Sequence, residues 1–409
     1  MNVNDENESE VPESESSLNL ADVFNETSYS QPVRTRREFA AWHRPRKQVV
    51  RQIQWGSEIE WLLSQKSPED LSLRYLGLPG ADLLDIRYFY SRFCRGGEHY
   101  LTFRGFDESA KPGSTYRDAL NVSLNEVRRF EHIDERSDVV GDDFRRLSDD
   151  QSIAWELAQR LGPFDIINLD LCGHMARDEP AIDPNYYNAI YQLCGLQQRQ
   201  RGPWSLFLTS RLDQVNFAND TLDKLLKVLE SNLDRCGDFA VEFHACFGAL
   251  QYTVETAKAW DSETFFKTMS VAIAKWFLVM AQSMRNVLSI SSVAGYQINK
   301  EAHYLDMVSI ALRFMPSAAI GPDRTGLASG ASPLADECMQ AAPFPKKVSG
   351  TMDIDKALRD SPGQWVRFRD ATGELLEQAR YSAAAYRDWA NDDFAKNGRK
   401  TAAPGTQVR

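Results

Sequence analysis

The chain has 409 residues, 43% hydrophobic and 26% charged, with a formal net charge of −11. That composition excludes a chain disordered throughout and leaves room for one large domain with extensions or two modest ones. The net charge argues against nucleic acid as a partner, but it is unevenly spread, so local blocks are the better guide.

Residues 1–30 hold eight acidic and no basic residues and are rich in Ser. They bury too little apolar surface to offset chain entropy and are expected to be a disordered acidic tail. They also lack the apolar core of a signal peptide, so a cytoplasmic location is expected. Residues 34–51 reverse the sign, with seven Arg or Lys against one acid, Glu38. A basic helical extension is expected over 31–66, anchored by Phe39, Trp42, Trp55, Ile59 and Leu62, with Pro45 breaking or kinking it.

From Leu71 short apolar runs alternate with amphipathic ones. The runs at 73–76, 100–106, 138–141, 164–169 and 204–209 read as strands, with helices clearest at 115–130 and 152–161. Strands alternating with helices imply parallel pairing through right-handed crossovers. Runs at 287–298 and 304–314, parted by a short polar turn, read as an antiparallel pair closing one sheet edge. Between them and the fifth strand, an insertion at 211–286 shows three helical patterns, at 222–233, 239–257 and 263–284. The longest apolar stretch, 271–281, is interrupted by Lys275 and is shorter than a bilayer span. Beyond 316 a Gly, Ser, Ala and Pro-rich linker leads to a helix at 373–395, expected to dock through Trp365, Phe368, Leu376, Tyr386 and Trp389.

The fold class expected is therefore α/β: a doubly wound, mostly parallel sheet with a C-terminal antiparallel hairpin over 67–316, carrying helical extensions at both ends. Six cysteines lie far apart with no C-x-x-C, which predicts reduced thiols and no metal centre. Cys172 reads as a small apolar residue sooner than a nucleophile.

In such a sheet ligands bind beyond the carboxyl ends of the strands. The first strand ends in Leu76-Gly77-Leu78-Pro79-Gly80, a tight turn open to close approach. The second ends in Asp107-Glu108, able to accept from two ribose hydroxyls. The third gives Gly141-Asp142-Asp143-Phe144, an acid for an adenine amino group beside an aromatic ring. The fourth ends in Asn168-Leu169-Asp170-Leu171-Cys172-Gly173-His174, a polar cluster.

That order of features resembles the class I S-adenosylmethionine (AdoMet)-dependent methyltransferases over residues 70–316, as an atypical bacterial-type member. The resemblance implies AdoMet as cofactor, with Gly77 and Gly80 flanking its methionine part. It implies Asp107 or Glu108 at the ribose, Asp142 and Phe144 at the adenine, and Asn168 and Asp170 toward the methyl-transfer end. Asp170 and His174 would be the bases that deprotonate an acceptor. The chain departs from the family in its glycine loop. It also lacks both the Asp/Asn-Pro-Pro-aromatic and the Pro-Cys signatures of nucleic-acid methyltransferases.

Arg34, Arg36, Arg37, Arg44, Arg46, Lys47 and Arg51, interleaved with Trp42, His43 and Trp55, suggest an RNA or DNA acceptor. Arginine forks grip phosphates and flat rings stack on unpaired bases. Trp42, Arg44, Arg46, Lys47 and Arg51 are the expected contacts. The competing reading of the segment is a basic helix packing its tryptophans on the core. Two further functions stay open: a catalytically inactive methyltransferase-like interaction module acting with partner proteins of a bacterial operon system, and a small-molecule or protein methyltransferase roofed by the helical insertion.

Overall fold

The computed structural model describes residues 35–398, apart from 112, 115, 172, 179–180, 300–303 and 318–335. The acidic tail, Cys172 and most of the expected linker lie outside the described residues.

A continuous helix, α1, runs over 45–65 and includes a π-helical segment, Val50–Trp55. Pro45 starts this helix instead of breaking it. At the first helical position a missing N–H costs nothing, because no carbonyl precedes it to accept. Strand β1 (Ser72–Gly77) follows, then α2 (Leu84–Phe89), which continues as one π turn to Cys94. Next come β2 (Tyr100–Phe106), α3 (Arg117–Arg128), β3 (Asp138–Val140), α4 (Ile153–Leu161), β4 (Ile166–Asp170), α5 (Tyr186–Gln197) and β5 (Trp204–Arg211).

The eight strands lie in the order β3-β2-β1-β4-β5-β7-β6-β8, where β6 is Asn286–Tyr296, β7 is Met307–Pro316 and β8 is Met352–Asp353. The first five strands are mutually parallel, and β7 runs antiparallel between β5 and β6. This is a methyltransferase-like Rossmann arrangement, as the sequence implied. The two-residue β8 is an unexpected addition that pairs parallel with β6.

Alternation along the strands builds two cores. Leu76, Ile167, Leu169, Leu206, Leu208, Leu312 and Phe314 face one side, against α4, α5 and the insertion helices. Tyr75, Ile166, Phe207 and Ala311 face the other, against α1, α2, α3 and the C-terminal helices. Both faces being covered explains why the parallel strands read as nearly unbroken apolar runs.

The insertion holds four helices where three were expected: α6 (Asn219–Arg235), α7 (Gly237–Phe247), α8 (Val254–Ala259) and α9 (Ser262–Ser283). The expected 239–257 helix stops at Gly248, whose φ of +74° is left-handed, and restarts behind a Thr253 cap. By length and composition α9 could cross a membrane, which the apolar run 271–281 had not indicated, but its residues are mostly buried within the protein.

The C-terminal region departs further from expectation. Short helices α10 (Glu337–Ala341), α11 (Phe344–Ser349) and α12 (Ile354–Asp360) precede α13 (Pro362–Glu377) and α14 (Ala383–Gly398). The expected 373–395 helix is thus two, parted at Arg380, whose φ is +67°. Phe368, Leu376 and Tyr386 are buried, and Trp365 and Trp389 pack against the same core. The docking partner is the N-terminal extension. Arg36 bridges Tyr381 in parallel, and the Tyr386 hydroxyl donates to the His43 carbonyl at 2.7 Å.

Cys236 and Cys338 form a disulfide joining the start of α7 to α10, which corrects the expectation of reduced thiols for that pair. Cys94 and Cys194 are free and buried, and burial pushes both thiols up to about 12.

Candidate functional site

The carboxyl ends of β3, β2, β1 and β4 meet at one edge. Gly77 pairs with Gly105 on one side and Asn168 on the other, Phe106 pairs with Val140, and the Asp107 amide donates to the Val140 carbonyl at 3.1 Å. The chain order reverses between β1 and β4, so this edge holds the topological switch point. Gly77, Asp107, Asp142 and Asp170 therefore lie along one edge of the sheet.

Their environments differ. Gly80 turns with a φ of +64° and has open space where a Cβ would point. Asp107 is half-buried, and its exposed neighbour Glu108 pairs with Lys111 at 3.0 Å. Asp142 is half-buried and accepts from the Asp143 amide at 2.8 Å. Phe144 does not stand beside an open crevice. It is 3% exposed, edge-on to Phe106 and stacked against Tyr186, so it is a core residue beneath the third strand tip.

At β1 and β4 the space is filled. A Cβ on Gly77 would come within 2.3 Å of the Tyr75 hydroxyl, so Gly77 is needed to make room for that ring. Asn168 is fully buried beside Tyr75. Asp170 does not stand free as a base, because its carboxylate is paired with Lys47 of α1.

That pairing takes Lys47 out of an open phosphate grip, and Arg44 and Arg51 are likewise buried in ion pairs, whereas Arg37 is exposed. Arg44 is 7% exposed and forked onto Asp393 at 2.8 and 3.0 Å. Lys47 is 7% exposed on Asp170, and Arg51 is 4% exposed on Asp85 at 2.7 Å. Arg46 pairs with Asp355 at 3.2 Å and lines a cavity of about 70 Å3 with Arg44, Trp365 and Phe394. Of the expected contacts only Trp42 stands out in solvent, at 58% exposure.

The physical reason is helical spacing. Lys47, Arg51, Gln54 and Glu58 recur at four, three and four residues, which puts them on one face. That face is turned toward the sheet. Gln54 exchanges hydrogen bonds with the Ser309 carbonyl (3.0 Å) and hydroxyl (2.6 Å), and Glu58 accepts from Arg313 at 2.6 Å. The spacing was present in the sequence, but charged residues on a helix are usually solvated, so it pointed outward.

Burial dominates the electrostatics of this cluster. It lifts Asp85 above the usual carboxylate range although Arg51 opposes the shift, and it raises the Tyr75 and Tyr296 hydroxyls. Burial would lower Lys47, but Asp170, Tyr296 and Asp85 together outweigh it and raise the ammonium above its ordinary value.

A second constellation lies at the tips of β4 and β5. His174 Nε2 stands 2.6 Å from Asp213 Oδ2, both residues 7% exposed. Asp213 was missed because the fifth strand tip, Arg211-Leu212-Asp213, was not read for polar groups as the first four were. Burial pushes its carboxyl up, but bonds to His174 and Asn216 outweigh this and hold it at about 2. A carboxylate depressed on folding contributes stability that is fully present above its ordinary value near 4 and lost as pH falls through about 2. Asp213→Asn is therefore expected to cost about 1–2 kcal/mol at neutral pH and to flatten the stability change between about pH 4 and 2, measured by urea unfolding across that range.

A family model described as PP_RS20740-like matches residues 36–391. The chain belongs to the PP_RS20740-like family. The match spans both extensions as well as the sheet. No curated protein matches this PP_RS20740-like chain. Among solved structures it is similar to a proposed class I S-adenosylmethionine-dependent methyltransferase from Listeria monocytogenes. That similarity has 12% identity and a TM-score of 0.33, covering 76% of this chain and 73% of that one.

The PP_RS20740-like site meets an adenosyl cofactor unevenly. Half-buried Asp107 and Asp142 at adjacent strand tips suit a ribose and an adenine amino group. At β1 and β4, the Tyr75 hydroxyl over Gly77 and Lys47 on Asp170 take up the place of the amino-acid end.

Proposed function

We propose that this chain is an AdoMet-dependent methyltransferase, with the nucleoside of its cofactor along the tips of β1, β2 and β3. The observation that carries this reading is the gathering of Gly77, Asp107 and Asp142 at the switch-point edge of a sheet ordered 3-2-1-4-5-7-6. AdoMet, when bound, supplies an activated methyl group, which leaves the protein to align the acceptor and exclude water. With Asp170 occupied by Lys47, the base role falls to His174, oriented by Asp213.

For the acceptor, a small polar molecule or a protein side chain fits better than nucleic acid. The reason is the burial and internal pairing of Arg44, Lys47 and Arg51. A basic patch must face solvent to displace counterions from a phosphate backbone.

Calorimetric titration of the full chain with AdoMet and S-adenosylhomocysteine tests this. Micromolar binding is expected, weakened about tenfold or more by Asp107→Ala or Asp142→Ala, since each removes charge-assisted hydrogen bonds. A second reading is favoured by one observation, the filling of the place of the amino-acid end by Tyr75 and Lys47. In that reading the chain keeps the fold as an interaction module without catalysis. Absence of binding at millimolar ligand would decide for it.

A further inference from the structure

The cavity of about 70 Å3 beside Arg46 is lined by none of the tips of β1 to β5. It lies where the first turn of α1 meets α12, α13 and α14. On α12, Leu358 and Arg359 follow Asp355 by three and four residues, which puts all three on one face, and that face lines the cavity. Trp365 and Phe394 add an apolar wall, their rings stacked at 3.9 Å and 22°.

Three cations and two acids share this lining, and both acids are already matched. Arg44 is forked onto Asp393, while Asp355 pairs with Arg46 at 3.2 Å and accepts from the Gln297 amide at 2.7 Å. Arg359 acts on Asp355 through space but makes no hydrogen bond or close ion pair among the described residues. Arg46 spends Nε on Asp355 and Nη1 on the Gln297 carbonyl, which leaves Nη2 to be used. One positive charge is in excess. Burial adds to that excess by lifting the Asp355 carboxyl above its ordinary range, although Arg46 opposes the shift.

We propose that this cavity binds a small organic monocarboxylate, its carboxylate held by Arg359 and Arg46 and its carbon chain laid against Leu358, Trp365 and Phe394.

Charge and size select that class. A monoanion cancels the excess, whereas a dianion such as phosphate leaves a negative surplus beside Asp355 and Asp393. A carboxylate also matches the planar donors of a guanidinium. At about 10–15 Å3 for each water, the cavity takes on the order of five to seven non-hydrogen atoms, the size of butyrate. An apolar wall contributes nothing to a bare inorganic ion but stabilises a buried carbon chain. The site is independent of the AdoMet reading, so each stands or falls without the other.

Saturation-transfer NMR titration of the full chain with butyrate, butyramide, formate and inorganic phosphate tests the assignment. Butyrate is expected to bind in the millimolar range, as suits a ligand of about its size. It should bind about tenfold more tightly than the uncharged butyramide, and about fourfold more tightly than formate for each methylene buried. Arg359→Gln should abolish the preference for butyrate over butyramide. Lys356→Gln, which removes an exposed cation paired with Asp360 on the same helix, should leave that preference intact. Equal binding of butyrate and butyramide to wild-type protein overturns the proposal, as does tighter binding of phosphate than of butyrate. So does the lack of saturable butyrate binding below about 50 mM, which would mean that the cavity holds water only. A preference that survives Arg359→Gln, or is lost equally in Lys356→Gln, places the anion elsewhere and has the same effect.

Discussion

Arg51→Met is expected to lower the stability of the chain by about 3–5 kcal/mol, the usual cost of removing one partner from a buried ion pair. Arg51 and Asp85 are 4% and 3% exposed, and the guanidinium donates to the carboxylate at 2.7 Å. Without Arg51, Asp85 must stay charged beside Asp170 or take up a proton, and its elevated carboxyl already leans toward the proton. Most of the loss should therefore return in Arg51→Met/Asp85→Leu, where no charge is stranded. Urea unfolding of the single and double variants measures both. A single variant as stable as wild type would mean that α1 does not seat its charged face on the sheet.

Trp55→Ala should cost a similar amount, about 3–5 kcal/mol, by lost transfer energy and a residual cavity. Trp55 is fully buried, its ring lies 12° from parallel with Phe207 of β5 at 5.9 Å, and the Lys47 ammonium sits 5.0 Å from its centroid. Trp42, thirteen positions earlier and 58% exposed, is the control, because Trp42→Ala should change stability by no more than about 0.5 kcal/mol. Thermal unfolding of the two variants separates an extension built into the core from one merely laid on it. If the two behaved alike, the extension would not be part of the folded unit.

Both results turn on the segment where sequence reading and structure part most widely. Reading 34–51 as a surface grip followed from an ordinary rule, that Arg and Lys stay in water. The rule failed because the start of α1 is held between the sheet and the C-terminal helices, while further along Ile53, Ser57 and Glu60 keep one strip of it in solvent. Each buried cation found an acid far along the chain: Lys47 with Asp170, Arg44 with Asp393, Arg51 with Asp85. The helix spacing of Lys47, Arg51, Gln54 and Glu58 was legible, but its partners at Asp170, Ser309 and Arg313 lie 123 to 255 residues away. No local pattern encodes such pairings.

The site was legible in part for the same reason. Asp107 and Asp142 are set by the strands that precede them, so a reading of strand ends placed them at one edge. Phe144 was misplaced because a residue after a strand tip can point into the crevice or under it. Here contact with Phe106 and Tyr186 takes it under. Asp213, two residues beyond the end of β5, carries the same strand-end signal that marks Asp107 after β2.

Taken by itself, the sequence determined the alternating strands and helices, the parallel sheet with its antiparallel closing pair, and the carboxyl edge where polar residues collect. These follow from periodicity and from the near-invariant handedness of crossovers, both local or topological. Tertiary structure alone decided which way α1 faced, that the C-terminal helices would lock onto it, and that Tyr75 and Lys47 would fill the β1–β4 end of the edge. Those outcomes depend on pairing buried charges across the fold, and the energy of a buried charge is set by neighbours that only the assembled chain supplies.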